Sequence, residues 1–216
     1  MSAHSRETEA AHWEAGFSLV VVLLLLVVVA VLGGGAARLS SVNELGARSD
    51  RDHDVAFQAA EAALIDAELD VFGPNTDAKA RLCLFNDKDV TPFVSGCGRE
   101  GAANHGLCAA ADAGAMPAWM TVDLSPESKT SVAYGTFTGQ KYATGSGATA
   151  ALPRYVIEAM RNNGGWEANR LRSAGAGAGA VSHIFRVTAL GFGIGKETRV
   201  VLQTTLYKPA ASVGCP

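Results

Sequence analysis

Cys83, Cys97, Cys108 and Cys215 are the side chains in this 216-residue sequence best suited to covalent or metal chemistry. An even set suits two disulfides, and four cysteines allow three pairings. The rival chemistry is zinc, with His105 joining Cys83, Cys97 and Cys108. Zinc sites usually preorganise two ligands in a close C-x-x-C pair, and none occurs here. The expectation is therefore no metal, with His105 a loop residue. A second candidate is Gly191-Phe192-Gly193-Ile194-Gly195-Lys196, which has the outline of a phosphate-binding loop. That motif needs four residues between its first Gly and Gly-Lys, then Ser or Thr opening a helix. Here the spacing fails, Glu197 takes the hydroxyl position and a strand pattern follows, so a hairpin turn is the better reading. There is no G-x-S-x-G elbow, H-E-x-x-H pair or EF-hand loop. No enzyme activity and no cofactor are expected.

The elements around these residues begin with an uncharged stretch. No charged residue occurs between Glu14 and Arg38, a gap of 23 residues, and Phe17 to Leu32 reads FSLVVVLLLLVVVAVL. A helix of that length spans about 34 Å at roughly 1.5 Å per residue, enough to cross a bilayer core of about 30 Å once. A cleaved secretory signal would want a basic leader and a shorter apolar run, with Gly35-Ala36-Ala37 as its cut. The leader is instead acidic, with Arg6 against Glu7, Glu9 and Glu14. Gly33-Gly34-Gly35 weakens a helix by about 1 kcal/mol per residue, which predicts a local unwinding or bend.

Beyond Arg38 saturation gives way to periodicity. Phe57, Ala60, Leu64, Ala67 and Val71 are spaced 3, 4, 3 and 4, one apolar stripe on a helix. Gly73-Pro74 ends it, because Pro cannot continue the ladder. One helix from about Phe17 to Val71 is expected. The charged block Arg48, Asp50, Arg51, Asp52, His53 and Asp54 is read as a solvated face or as paired with a neighbouring chain.

From about residue 75 the sequence is glycine-rich, with candidate strands at 132–137, 155–159, 183–189 and 198–207. The last two are joined by a Gly-containing connection, so an antiparallel hairpin is expected. An antiparallel sheet packed on the Phe57/Leu64 stripe gives both surfaces a partner, hence an α+β fold. Residues 173–180 alternate Ala and Gly after Ser173 and read as a loop, and residues 102–115 are poor in core side chains.

Charge excludes one function class. The net charge is −3, and without residues 1–16 the chain keeps 17 basic against 18 acidic residues. No basic stripe is present to displace counterions, so nucleic acid is not an expected partner.

The junction Gly16-Phe17-Ser18-Leu19 resembles the type IV prepilin class of signal. The run from Asp50 to Leu64, DRDHDVAFQAAEAAL, looks like the N-terminal signature of the PilX family of type IV minor pilins. Gly106-Leu107-Cys108 after Cys97, Pro117-Ala118-Trp119, Pro153-Arg154-Tyr155-Val156-Ile157-Glu158, Phe185 to Ala189 and Thr198 to Gln203 resemble further blocks in family order.

That resemblance implies a type IV pilin-like fold, with leader 1–16, transmembrane and assembly helix 17–37, amphipathic continuation 38–72 and periplasmic domain 73–216. It implies prepilin peptidase cleavage between Gly16 and Phe17 with methylation of Phe17, leaving 200 residues. It implies a local bridge between Cys97 and Cys108, which leaves Cys83 with Cys215. Val21, the fifth mature residue, stands where most pilins carry Glu, which suggests a tip or priming position. The implied role is a minor pilin, packed through its helix with other minor pilins and the major pilin and served by the inner-membrane assembly machinery. A tip adhesin is a further implied partner, and the implied path runs from inner membrane to pilus tip. A K-type pseudopilin of type II secretion also resembles the chain in lacking that Glu, and a non-polymerising membrane-anchored receptor or adhesin is the rival of another class.

Overall fold

The computed structural model describes residues 17–74, 78–112, 114–162 and 182–209. The elements are helices α1 (Phe17–Phe72), α2 (Ala78–Cys83) and α3 (Ala118–Thr121). The strands are β1 (Leu107–Ala109), β2 (Val132–Ala133), β3 (Arg154–Arg161), β4 (His183–Phe192) and β5 (Arg199–Leu206). The chain divides into two compact units, Met1–Ser49 and Asp50–Pro216.

In the first unit α1 is helical through Gly33-Gly34-Gly35, where an unwinding was expected. A glycine costs helix propensity but blocks no backbone hydrogen bond, so flanking turns of Leu, Val and Ala can hold the helix across it. The side chains from Leu19 to Leu32 are exposed on every face, as are Val42 and Leu45. Among the described residues, no helix is long and apolar enough to cross a membrane.

In the second unit the α+β class holds, but the sheet is mixed. Its order is β1-β3-β4-β5, with β2 also on β3. β3/β4, β4/β5 and β2/β3 are antiparallel, whereas β1 runs parallel to β3 with Leu107 opposite Ile157. The expectation of a wholly antiparallel sheet fails because β1 lies in residues 102–115, a segment whose few apolar residues gave no strand signal. Leu107 and Cys108 there are fully buried. The strand expected at 132–137 is cut to two residues, because Gly135 turns with φ +78. The Ala/Gly run at 173–180 lies outside the described residues.

β3 is covered on both faces. Tyr155, Ile157 and Ala159 join Phe185, Val187 and Ala189 in the core that receives α1, while Val156 packs with Cys97 and Cys108 on the other side. The α1 side is almost all alanine: Ala63 and Ala67, followed by Val71, join this core, Ala56 and Ala60 pack on Val200 beside it, and Ala59 is also fully buried. The expected stripe holds at Ala60, Ala67 and Val71 and departs at its first position. Ala67 faces the core with Leu64 partly buried against it and Ala60 packs on Val200, but Phe57 is 39% exposed. The reason lies at Gly191, where any Cβ would overlap the backbone of Ala56 and Ala60. Strand and helix backbones approach so closely there that only small side chains fit between them.

Gly73, at φ +83, closes α1 by donating its amide to Leu69 O at 2.7 Å, a left-handed cap that glycine adopts without strain. Lys208 Nζ then donates to Val71 O (2.6 Å) and Leu82 O (2.9 Å), so one cation ties together carbonyls at both helix ends.

Candidate functional site

Of the charged block on α1, Arg48, Asp50, Arg51, His53 and Asp54 are exposed, as a solvated face would be, and Asp52 is the exception. Asp52 reaches the β4–β5 turn and accepts hydrogen bonds from the amides of Ile194 and Gly195 and from the Thr198 hydroxyl. The Thr198 hydrogen bond, with help from the two amides, holds this carboxyl below the usual range. Gly193 must be glycine, since a Cβ would run into Asp52 itself. The loop with a phosphate-binding outline is thus a hairpin turn, and the anion it holds is a carboxylate of its own chain.

Two further acids interrupt the apolar face of α1, at Asp66 and Asp70, both with no exposed surface. Asp70 forms a bidentate ion pair with Arg81, at 3.0 Å to Nε and 2.9 Å to Nη2, and accepts the Tyr155 hydroxyl at 3.0 Å. Arg81 also donates to the carbonyls of Ala103 and His105 and lies 3.8 Å from the Phe137 ring centre. Every charge in this knot has a partner, which is what makes its burial tolerable. Burial, with the Asp70 charge beside it, raises the Tyr155 phenol well above its ordinary value. Asp66 accepts the Gly135 amide at 2.8 Å and the Thr138 hydroxyl; burial outweighs both hydrogen bonds and raises its carboxyl.

The Pro153–Glu158 block makes the remaining clasps. Arg154 donates to Ser131 Oγ (2.8 Å) and to the carbonyls of Pro126 (3.1 Å), Ser128 (2.6 Å) and Ser131, pinning the preceding loop. Glu158 pairs with Arg186, its cross-strand neighbour, and reaches the Ala118 amide at 3.5 Å. These polar groups are consumed in holding loops to the sheet.

Cys97 and Cys108 are joined in a disulfide, and Cys83 is also disulfide-bonded. Cys215 lies outside the described residues. Oxidised sulfurs cannot serve as the thiolates zinc requires, so the His105–cysteine alternative fails on chemistry. Among the described residues no group of three His, Cys, Asp or Glu is placed to hold a metal. His105 is buried, and burial followed by the Arg81 and Arg154 charges lowers its pKa. It borders a cavity of about 560 Å³. Its Nε2 is the one buried side-chain nitrogen or oxygen without a hydrogen-bond partner among the described residues.

Of the processing positions, Gly16 lies outside the described residues, Phe17 is the first residue of α1, and Val21 is 39% exposed. In the sequence Asp52 stands out only as part of the charged block and Arg186 only within a family block, and nothing singles out Asp66, Asp70 or Arg81. The available signal was the pair of acids four residues apart at Asp66 and Asp70, beside alanines that must be buried.

Two family models match the chain in separate regions. The family model for the PilX N-terminal region matches residues 15–64, and that for the C-terminal region of the type IV pilus assembly protein PilX matches residues 104–208. No curated protein and no solved structure matches the chain. The N-terminal match covers the apolar run and α1 as far as Leu64, with Asp52 and the buried Ala56, Ala59, Ala60 and Ala63, and the C-terminal match covers all five strands. With both regions matched in order over more than two thirds of its length, the chain belongs to the PilX family of type IV pilus assembly proteins.

Proposed function

We propose that this type IV pilus component is a minor pilin with a pilin-like fold that primes assembly and sits at or near the tip. In this reading prepilin peptidase cuts between Gly16 and Phe17 and methylates the new amine. Phe17 to Ala37 then holds the protein in the inner membrane, with the remainder in the periplasm. The described apolar side chains and the glycines that follow, Leu19 to Gly35, make only about 25 Å of helix at roughly 1.5 Å per residue. Adding Phe17, Ser18, Ala36 and Ala37 brings the run to about 31 Å, the thickness of a bilayer core.

The observation that carries the reading is the helix segment Leu19–Leu32, apolar and exposed on every face, within the N-terminal family match. Such a surface needs lipid or other helices around it. The absence of charge lets it exchange one for the other, and Gly33 to Ala36 would permit close helix packing. Its partners are other minor pilins and the major pilin, handled by the inner-membrane assembly machinery, with a tip adhesin as a further partner. The role is structural, not enzymatic.

Mass spectrometry of the mature N-terminus tests it. N-methyl-Phe17 is the expected result; an intact Met1, or a start near Arg38, would overturn the processing and with it the assembly role.

A further inference from the structure

Phe57, expected in the core, belongs to a second stripe on α1. Phe57, Glu61, Ile65, Glu68 and Phe72 follow one another at spacings of 4, 4, 3 and 4 and so share one helix face. All five are exposed, the apolar ones at 39%, 60% and 44%. The opposite face is spoken for by the alanines against the sheet. Three large apolar side chains separated by carboxylates form a surface with two requirements, apolar contact and positive charge.

The chain does not meet the second requirement itself. From Asp52 to Phe72 α1 has no Lys or Arg, so neither glutamate has a base three or four residues away. Among the described residues neither takes part in an ion pair. Asp52, Asp66 and Asp70 on the same helix are each committed to internal hydrogen bonds. A second copy in register would set Glu61 and Glu68 against the same carboxylates, which argues against self-association on this face.

We infer that the Phe57/Ile65/Phe72 face with Glu61 and Glu68 is a docking surface for an α-helix of a different pilus subunit. That helix presents apolar residues at 3–4 spacing, interleaved with Lys or Arg. The inference rests on the minor-pilin reading and adds to it a defined contact outside the apolar segment, with a stated partner chemistry. The apolar segment supplies adhesion of any pilin to any other, while a patterned acidic face adds selectivity.

The test uses the full chain in piliated cells, with a photoreactive benzophenone amino acid replacing Ile65, Leu26 or Met120, all exposed. The expected result is that the Ile65 probe crosslinks to a helical, Lys- or Arg-containing peptide of another pilus subunit, and that Met120 does not. Glu61→Lys with Glu68→Lys should lower the Ile65 crosslink at least about tenfold and leave the Leu26 crosslink to pilus subunits in place. If Leu26 reaches pilus subunits but Ile65 reaches only lipid, a second copy of this chain or nothing, the docking surface is overturned alone. The same holds if the charge reversal leaves the Ile65 crosslink unchanged. If neither probe reaches a pilus subunit, the minor-pilin reading fails and takes the surface with it.

Discussion

Asp52 on α1 accepts the hydroxyl hydrogen of Thr198, 146 residues away, and its carboxylate also takes the Ile194 and Gly195 amides of the same turn. A turn whose amides converge is an anion-binding concavity in any protein. Here the anion is covalently part of the first element of the same unit, so the turn locks the β4–β5 hairpin to α1. Close approach at Gly191 and the Asp52 clasp are two parts of one joint: glycine brings the backbones together, and the carboxylate fixes their register.

Replacing Asp52 with Asn should loosen that joint. Asn keeps one acceptor but loses the charge assistance, a cost of about 1–2 kcal/mol, trimmed by solvent at the rim of the turn. The folded carboxyl lies below its ordinary value, so its contribution is present above the unfolded pKa of about 4 and is lost as pH falls through the folded one. Urea midpoints of detergent-solubilised full chain should separate wild type from Asp52→Asn at pH 7 and draw together as pH falls below about 4. An equal gap at pH 7 and below about pH 4 would exclude the charge as the source.

Asp66 should show the opposite sign. Burial raises its carboxyl, so the folded state binds a proton more tightly than the unfolded chain does. Its ionisation therefore costs stability as pH rises from about 4 through the folded pKa. Asp66→Asn still offers an oxygen to the Gly135 amide or the Thr138 hydroxyl and carries no charge to bury. Relative to wild type it should gain stability between pH 3 and pH 7, read by the same urea midpoints. A relative loss over that range would mean that the hydrogen bonds outweigh burial.

Glycine substitutions separate the joint from the turn tip. Gly191→Ala places a methyl into the backbone of Ala56 and Ala60, and should cost at least about 2 kcal/mol because neither chain can yield without moving an element. At Gly195 the nearest atom to an added Cβ is Asp52 Oδ2 at 3.8 Å, an ordinary contact, so Gly195→Ala should be close to neutral. Thermal unfolding of the two variants checks this, and equal destabilisation would mean that the close approach at Gly191 is not a constraint.

What was legible in the sequence follows from the range of each signal. The end of α1 was written locally in Gly73-Pro74, the β4–β5 hairpin in alternation around a Gly-rich turn, and the apolar segment in an absence of charge. β1 was not legible, because its three residues gain their place from pairing with β3, far along the chain, and from a bridge to Val94. The α1 stripe was legible at Ala60, Ala67 and Val71 and missed at Phe57, because size was read as burial. Where a sheet comes within backbone distance, Ala is the buried residue and Phe57 the displaced one. The ion pairs of Asp70 with Arg81 and Glu158 with Arg186 join residues 11 and 28 apart, and no periodicity reports on such pairs.

The proposed tip position makes a prediction at Val21. In pilins of the resembling kind, a Glu at the fifth mature position offsets the amine of the neighbouring subunit. A subunit that starts a filament has no such predecessor, so a carboxylate there would lie unpaired in the bilayer at a cost of about 3 kcal/mol. That cost corresponds to roughly a hundredfold shift against the inserted state if nothing neutralises it. Val21→Glu should therefore reduce surface pili, counted by electron microscopy and by immunoblot of sheared pilin, by at least about tenfold. Val21→Gln, polar but uncharged, should have a much smaller effect, because an amide can be satisfied within the helix. Unchanged piliation in Val21→Glu would show that a counter-charge is available, and hence that the subunit does have a neighbour at that level of the filament.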